Sequence, residues 1–367
     1  VDRIVTEKAR REPVRHIPMA DLGVTIGTLE LKNPLICGSG EHTTDAAGIR
    51  AALAAGAAAV VAKSVNESAA ARAQLDRADY RLLDEHWNVL PWDFAAPREA
   101  SLFCRSGLLQ RDAGEWFDEL ITLDREAAGQ GAFVIPSLIL SGLEACVDFA
   151  QSIERRGFRA LEVNIGAPHG DEAARGAIVL ERDADRVRAI VSRLRAAVRL
   201  PLWIKLTGQS EDPAALAVAA REAGADAVIL MGRSMGFLPD LETEAPLLGT
   251  SGAIGGGWAL PLTARVLAHA RARLGPDYPL LATNGARSGL DVARFLLAGA
   301  SATELSSLVH MRGYGALTEA IEELGRYLDR RGRRARDLIG RAADQLQTYA
   351  QQAARPGHWQ QTVPAAG

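Results

Sequence analysis

Cysteine is scarce in this chain of 367 residues, with only Cys37, Cys104 and Cys146 present. The number is odd and no CxxC pair occurs, which disfavours a disulfide scaffold, a zinc ribbon and a bound iron–sulfur cluster. A reducing compartment, the cytoplasm, is the natural expectation. Positive charge is not in surplus either. The 42 Lys and Arg stand against 45 Asp and Glu, a net charge of -3, so no broad basic field for nucleic acid or anionic lipid is expected. No apolar run approaches the length of roughly 18 residues that a membrane span needs. The first residues, Val1-Asp2-Arg3-Ile4, lack the apolar core of a secretion signal. No metal site is expected. The GxGxxG turn of an open doubly wound sheet is missing after the first strand, which leaves that architecture as the runner-up.

What is present is an ordinary globular composition, 48% hydrophobic and 24% charged. Eight short apolar runs recur: Pro34–Cys37, Ala59–Ala62, Ala132–Pro136, Ala160–Val163, Pro201–Leu206, Ala227–Met231, Pro279–Ala282 and Ala302–Leu305. Between them lie amphipathic segments at helical spacing, namely Asp45–Ala55, Glu144–Arg155, Asp183–Arg199, Pro213–Ala223, Pro261–Arg273 and Gly289–Ala298. Strands that read as continuous apolar runs belong to a parallel sheet covered by helices. Eight such units predict closure into a (β/α)8 TIM barrel, an α/β fold that routinely reaches this length as one domain. Gly56, Gly157, Gly224 and Gly299 each follow a predicted helix, where a left-handed residue turns the chain toward the next strand.

Two regions break the rhythm. Residues from about Ala69 to Glu115, after the second strand, read as a long irregular insertion carrying Trp87, Trp92 and Cys104-Arg105. The stretch Ser234–Gly257 is Gly-rich and ends in Gly255-Gly256-Gly257. Long loops in a compact domain are usually functional. The barrel is assigned to residues 1–340, and residues 341–367 to a C-terminal helix and tail.

In a barrel, chemistry collects where the strands end. Those positions read Gly38-Ser39-Gly40, Lys63-Ser64, Ser137, Asn164, Lys205, Met231-Gly232-Arg233, Thr283-Asn284-Gly285 and Ser306-Ser307. A lysine among apolar neighbours needs an anion to stay charged. Lys63 and Lys205 therefore either face an anionic ligand or pair with carboxylates and only stiffen the rim. The turns Thr283-Asn284-Gly285 and Ser306-Ser307 follow the seventh and eighth strands, the place where barrels bind phosphate through backbone N–H groups. Gly255 and Gly256 could add donors.

The chain resembles the dihydroorotate dehydrogenase superfamily, which includes the FMN domain of dihydropyrimidine dehydrogenase. The resemblance rests on Leu31-Lys32-Asn33-Pro34, Ala62-Lys63-Ser64, Glu162-Val163-Asn164-Ile165, Trp203-Ile204-Lys205-Leu206, Ala225-Asp226-Ala227-Val228, Gly255-Gly256, Asn284-Gly285 and Ala298-Gly299-Ala300-Ser301, in family order over residues 28 to 315. It implies FMN as cofactor and a small-molecule substrate, and makes a homodimer a reasonable expectation. Lys205 would stabilise negative charge on the reduced ring. Lys63, Ser64 and Asn164 would contact flavin or substrate. Gly38, Ser39, Gly255, Gly256, Thr283, Asn284, Gly285, Ser306 and Ser307 would complete the cofactor site.

The departures bear on the reaction. Members of the family place a Cys or Ser base in an Asn-x-Ser-Cys-Pro pattern, and here the segment reads Asn164-Ile165-Gly166-Ala167-Pro168. Alanine cannot take a proton. Two asparagines that would clamp a pyrimidine align with Cys104 and Gly232. His169 and Cys104 are the candidate replacements for the base, with Arg105 beside the thiol and His42 a third choice. His16, His86, His269, His310 and His358 read as surface or packing residues, and Trp87, Trp92 and Trp258 as loop anchors. The expectation is an FMN-dependent oxidoreductase acting on CH–CH bonds or a related small-molecule substrate, one that is noncanonical for the family, with no evident iron–sulfur partner. The alternatives are a flavin-binding protein with altered or lost catalysis, and a lyase or aldolase using Lys63 or Lys205 as a Schiff base.

Overall fold

A computed structural model describes residues 20–166, 183–232 and 234–364. All eight apolar runs are strands: Leu35–Cys37, Ala59–Val61, Phe133–Ile135, Leu161–Asn164, Leu202–Lys205, Ala227–Leu230, Leu280–Thr283 and Ala302–Leu305. They pair in parallel, and the eighth returns to the first through Glu304↔Ile36. The third strand closes the ring. Its first arm, Phe133–Ile135, pairs with the second strand. After Pro136 the second arm, Ser137–Ile139, pairs with the fourth. Proline has no N–H to give a ladder, so it stands where the strand changes partner.

The helices begin where acidic side chains can accept their first N–H groups. Asp45 accepts from Gly48 at 2.8 Å before helix Ala46–Ala54. Asp183 accepts from Arg186 at 2.7 Å before Ala184–Ala197. Asp212 caps Pro213–Glu222, which opens on proline. At the far ends, Gly56, Gly157, Gly224 and Gly299 have φ of 96°, 83°, 100° and 111°, the left-handed turn a Cβ disfavours. Helix Gly315–Arg331 ends the regular alternation. Beyond Gly340 the chain makes short 3-10 turns, tied back by Asp344 to the buried Arg271 at 2.7 Å.

The two interruptions are not irregular. Each supplies strands to one five-stranded antiparallel sheet, made of Asp79–Leu83, Val89–Leu90 and Ser101–Arg105 from the first and Ser234–Gly236 and Gly252–Gly256 from the second. Cys104 pairs with Tyr80 on one side and Ala253 on the other. This sheet roofs the barrel mouth. Mixed polar sequence and Pro/Gly spacing hide these strands, and the pairing that joins the two insertions, Ser101–Arg105 with Gly252–Gly256, links segments far apart in sequence. Trp87, Trp92 and Trp258 anchor nothing in the core and are 49%, 37% and 39% exposed.

Candidate active site

Between floor and roof lies a cleft. Its walls include Ser39, Lys63, Ser64, Asn164, Lys205, Thr283, Asn284, Gly285, Ser306 and Ser307 from the strand ends, and Cys104 and Gly255 from the roof. Gly38 and Gly256 stand just behind that lining. A Cβ on Gly38 would come within 3.3 Å of the Ser306 Cβ. One on Gly256 would meet Ser101 Oγ at 2.5 Å. Ala167 and His169 lie outside the described residues, as does Arg233.

The fifth strand shows how the floor is built. Alternation puts Trp203 and Lys205 on one face and Leu202 and Ile204 on the other. The Lys205 ammonium meets Glu162 of the fourth strand at 2.9 Å and Glu304 of the eighth at 2.6 Å. Both carboxyls are about 1% exposed, inside a barrel that usually fills with apolar layers. Burial opposes the lysine charge, but Glu162 and Glu304 outweigh it and hold its pKa above the ordinary lysine value. Burial and the charge of Glu162 push the Glu304 carboxyl well above the carboxylate range.

From Glu162 a hydroxyl chain crosses the floor. Ser137 Oγ donates to Glu162 at 2.9 Å. Ser137 and Ser64 share a hydrogen at 2.8 Å, and Ser64 and Ser39 are 3.2 Å apart. Ser306 then donates to the Ser39 carbonyl at 3.0 Å. Asn164 Oδ1 accepts from Gly166 N–H at 3.1 Å, and the residue lines the cleft.

Lys63, after the second strand, donates to Glu41 at 2.8 Å. Burial alone would raise the Glu41 pKa. The Lys63 charge and hydrogen bond, with a hydrogen bond from Tyr80 and the nearby His310, hold it at about 2. Both rim lysines are thus ion-paired. His310, read from sequence as a packing or surface residue, lines the cleft instead. Its Nδ1 lies 3.4 Å from His42 Nδ1. Burial and His310 push the His42 pKa down to about 3, and burial lowers that of His310. These are neutral rings near neutrality. Sequence reading missed Glu41, Glu162, Glu304 and His310. The signal was there for two of them, since Glu162 and Glu304 interrupt otherwise apolar strands and a buried charge is the informative exception.

At the seventh and eighth strand ends, Asn284 holds φ at 65° and Gly285 at 117°. The Asn284 carbonyl oxygen accepts from Thr263 at 2.8 Å, while its Oδ1 is buried with no hydrogen-bond partner. A Cβ on Gly255 would come within 3.0 Å of that Oδ1, so glycine keeps the approach open. A model of the dihydroorotate dehydrogenase family matches residues 103–328.

The chain belongs to the dihydroorotate dehydrogenase family.

It is 29% identical over 318 residues to a dihydroorotate dehydrogenase B (NAD(+)) catalytic subunit of Methanocella arvoryzae, covering 86% of this chain and 96% of that one. It is 30% identical over 197 residues to a dihydroorotate dehydrogenase A (fumarate) of Lactobacillus helveticus, covering 53% and 62%. A B-type catalytic subunit of Thermoplasma acidophilum is 24% identical over 313 residues, covering 85% and 95%. This dihydroorotate dehydrogenase relative is an FMN-dependent oxidoreductase. The cleft fits that cofactor, with glycine-lined turns and an unpartnered Asn284 oxygen at one end and charged side chains at the other. Among the described residues, no helix is long and apolar enough to cross a membrane, and no group of side chains could hold a metal ion.

Proposed function

We propose that this protein moves a hydride between a carbon of a small substrate and FMN, and that the substrate is not dihydroorotate. The observation that carries the reading is the departure of the substrate wall from a pyrimidine clamp. The position after the sixth strand is Gly232, whose Cβ would lie 2.8 Å from the Leu206 carbonyl oxygen, so an asparagine side chain there needs the backbone to move. The position in the roof is the buried Cys104. A pyrimidine would leave its polar edge unmatched, and such a mismatch lowers the specificity constant by orders of magnitude.

Bound FMN supplies two-electron acceptance. Lys205 contributes a fixed positive charge at the floor of the cleft, and Asn164 presents amide donors to it. Asn284, Gly285, Ser306 and Ser307 would hold the phosphate, with Gly38, Ser39, Gly255, Gly256, Thr283, Lys63 and Ser64 around the remainder of the group. For the proton, Cys104 and His169 are the candidates, the thiol because it lines the cleft and the imidazole because it follows Ala167-Pro168. A Schiff-base role for either lysine is disfavoured, because both amines are ion-paired with carboxylates.

Anaerobic mixing of the holoprotein with dihydroorotate, watched at the flavin band, tests this directly. The band should stay oxidised with dihydroorotate and bleach with another small hydride donor. Rapid bleaching by dihydroorotate would sink the reading.

A further inference from the structure

The barrel floor holds two carboxyls and one ammonium with almost no access to water. Two full negative charges against one positive would leave a net charge of -1 in a place where isolated charge is strongly disfavoured. The hydrogen bonding points the same way. Glu162 Oε1 is satisfied by Ser137 and Lys205 at 2.9 and 3.0 Å. Glu162 Oε2 and Glu304 Oε1 are both buried with no hydrogen-bond partner, although Glu162 Oε2 lies 2.9 Å from the Lys205 nitrogen. The two carboxyls are within side-chain hydrogen-bonding reach of each other, so a hydrogen on one can be accepted by the other.

We propose that Glu162 and Glu304 share one proton, so that Lys205 is balanced by a single negative charge and the pair acts as a positioning device for its ammonium. Among the described residues, the remaining ionisable neighbour is the Cys37 thiol on the first strand, which burial and Glu304 hold protonated. It cannot supply the missing positive charge. The seventh and sixth strands present only uncharged side chains in Leu280–Thr283 and Ala227–Leu230. The arrangement resembles other pairs of buried carboxyls that cannot both ionise. It has a consequence for the cleft. With the proton in place the three groups are neutral as a set, and the ammonium can favour added negative charge above it. Without the proton the set would carry -1 and oppose it. Only this consequence rests on the proposed role of Lys205; the shared proton does not.

Infrared spectra of the holoprotein labelled with carboxyl-13C glutamate test the proton itself. The wild type at pH 7 should show a protonated-carboxyl stretch that shifts with the label. Glu304→Gln should lose it, because the acid is gone. Glu162→Gln should lose it too, because Glu304 then ionises to balance Lys205. A wild type without the band overturns the proposal even if neither variant folds, as does a band that survives in both. Loss of the band in Glu304→Gln alone also overturns it, since that outcome means an acid that does not share its proton. Flavin reduction is not part of the readout, so a failed substrate assignment leaves this result standing.

Discussion

The floor and the roof of the cleft are made differently. The floor is the C-terminal rim of eight parallel strands, and its charged groups are fixed by partners on neighbouring strands. The roof is an antiparallel sheet built from two loops; Tyr80 and Cys104 face each other on strands of the first loop, and Cys104 also pairs with Ala253 of the second. The comparison teaches a division of labour. The floor holds the buried charged groups on barrel strands, and the roof is made from inserted loops. The same division appears in many barrel enzymes, whose loops change while the strands persist.

The comparison can be broken most sharply at Lys205. Lys205→Met leaves two buried carboxyls without their cation and should lower stability by about 3–5 kcal/mol, read by urea unfolding. It should also slow flavin reduction by about 10²–10³-fold if the charge acts as proposed. Unchanged reduction in a folded variant would remove the floor from the chemistry. Next comes Gly285→Ala. The residue has φ of 117° and a Cβ would lie 2.6 Å from Leu260 N, so about 1–3 kcal/mol of strain is expected. Weaker FMN retention after gel filtration should accompany it.

Acid should act through the boundary between the two regions. The His42 pKa falls from 6.5 to about 3 on folding, through burial and then His310. A depressed pKa contributes stability that is complete above the unfolded value and is lost as the pH falls toward the folded one. His42 therefore begins to destabilise the fold below 6.5 and is fully spent near 3. Glu41 has the same sign, with its loss running from 4.5 down to about 2. Melting temperatures of His42→Asn should decline less steeply than wild type between pH 6.5 and 3; parallel curves would contradict this. The smallest effect is expected in the roof. Trp92 is 37% exposed and its ring lies 6.2 Å from Tyr80 and 5.5 Å from His310. Trp92→Ala should cost about 0.5–1.5 kcal/mol and leave FMN binding intact.

How much of this was legible follows the same line. Every barrel strand could be read, because a strand buried on both faces is mostly apolar. The glycine junctions could be read because only glycine takes the left-handed turn freely. The roof strands could not. Ser101–Arg105 lies between Asp79–Leu83 and Gly252–Gly256, and nothing local to it announces the distant partner. His310 was misread for the same reason, since its neighbours Glu41, His42 and Tyr80 come from other elements.

The sequence by itself determined the closed parallel barrel and the order of its strand ends. Local periodicity and backbone preference are enough for those. Only the tertiary structure decided the state of the charges. Lys205 was visible as a lysine at a strand end, but its pairing with Glu162 and Glu304 depends on the fourth, fifth and eighth strands turning the same face inward. Charge balance in a buried site is a property of distances in space, and distances between remote residues are fixed only when the ring of strands closes.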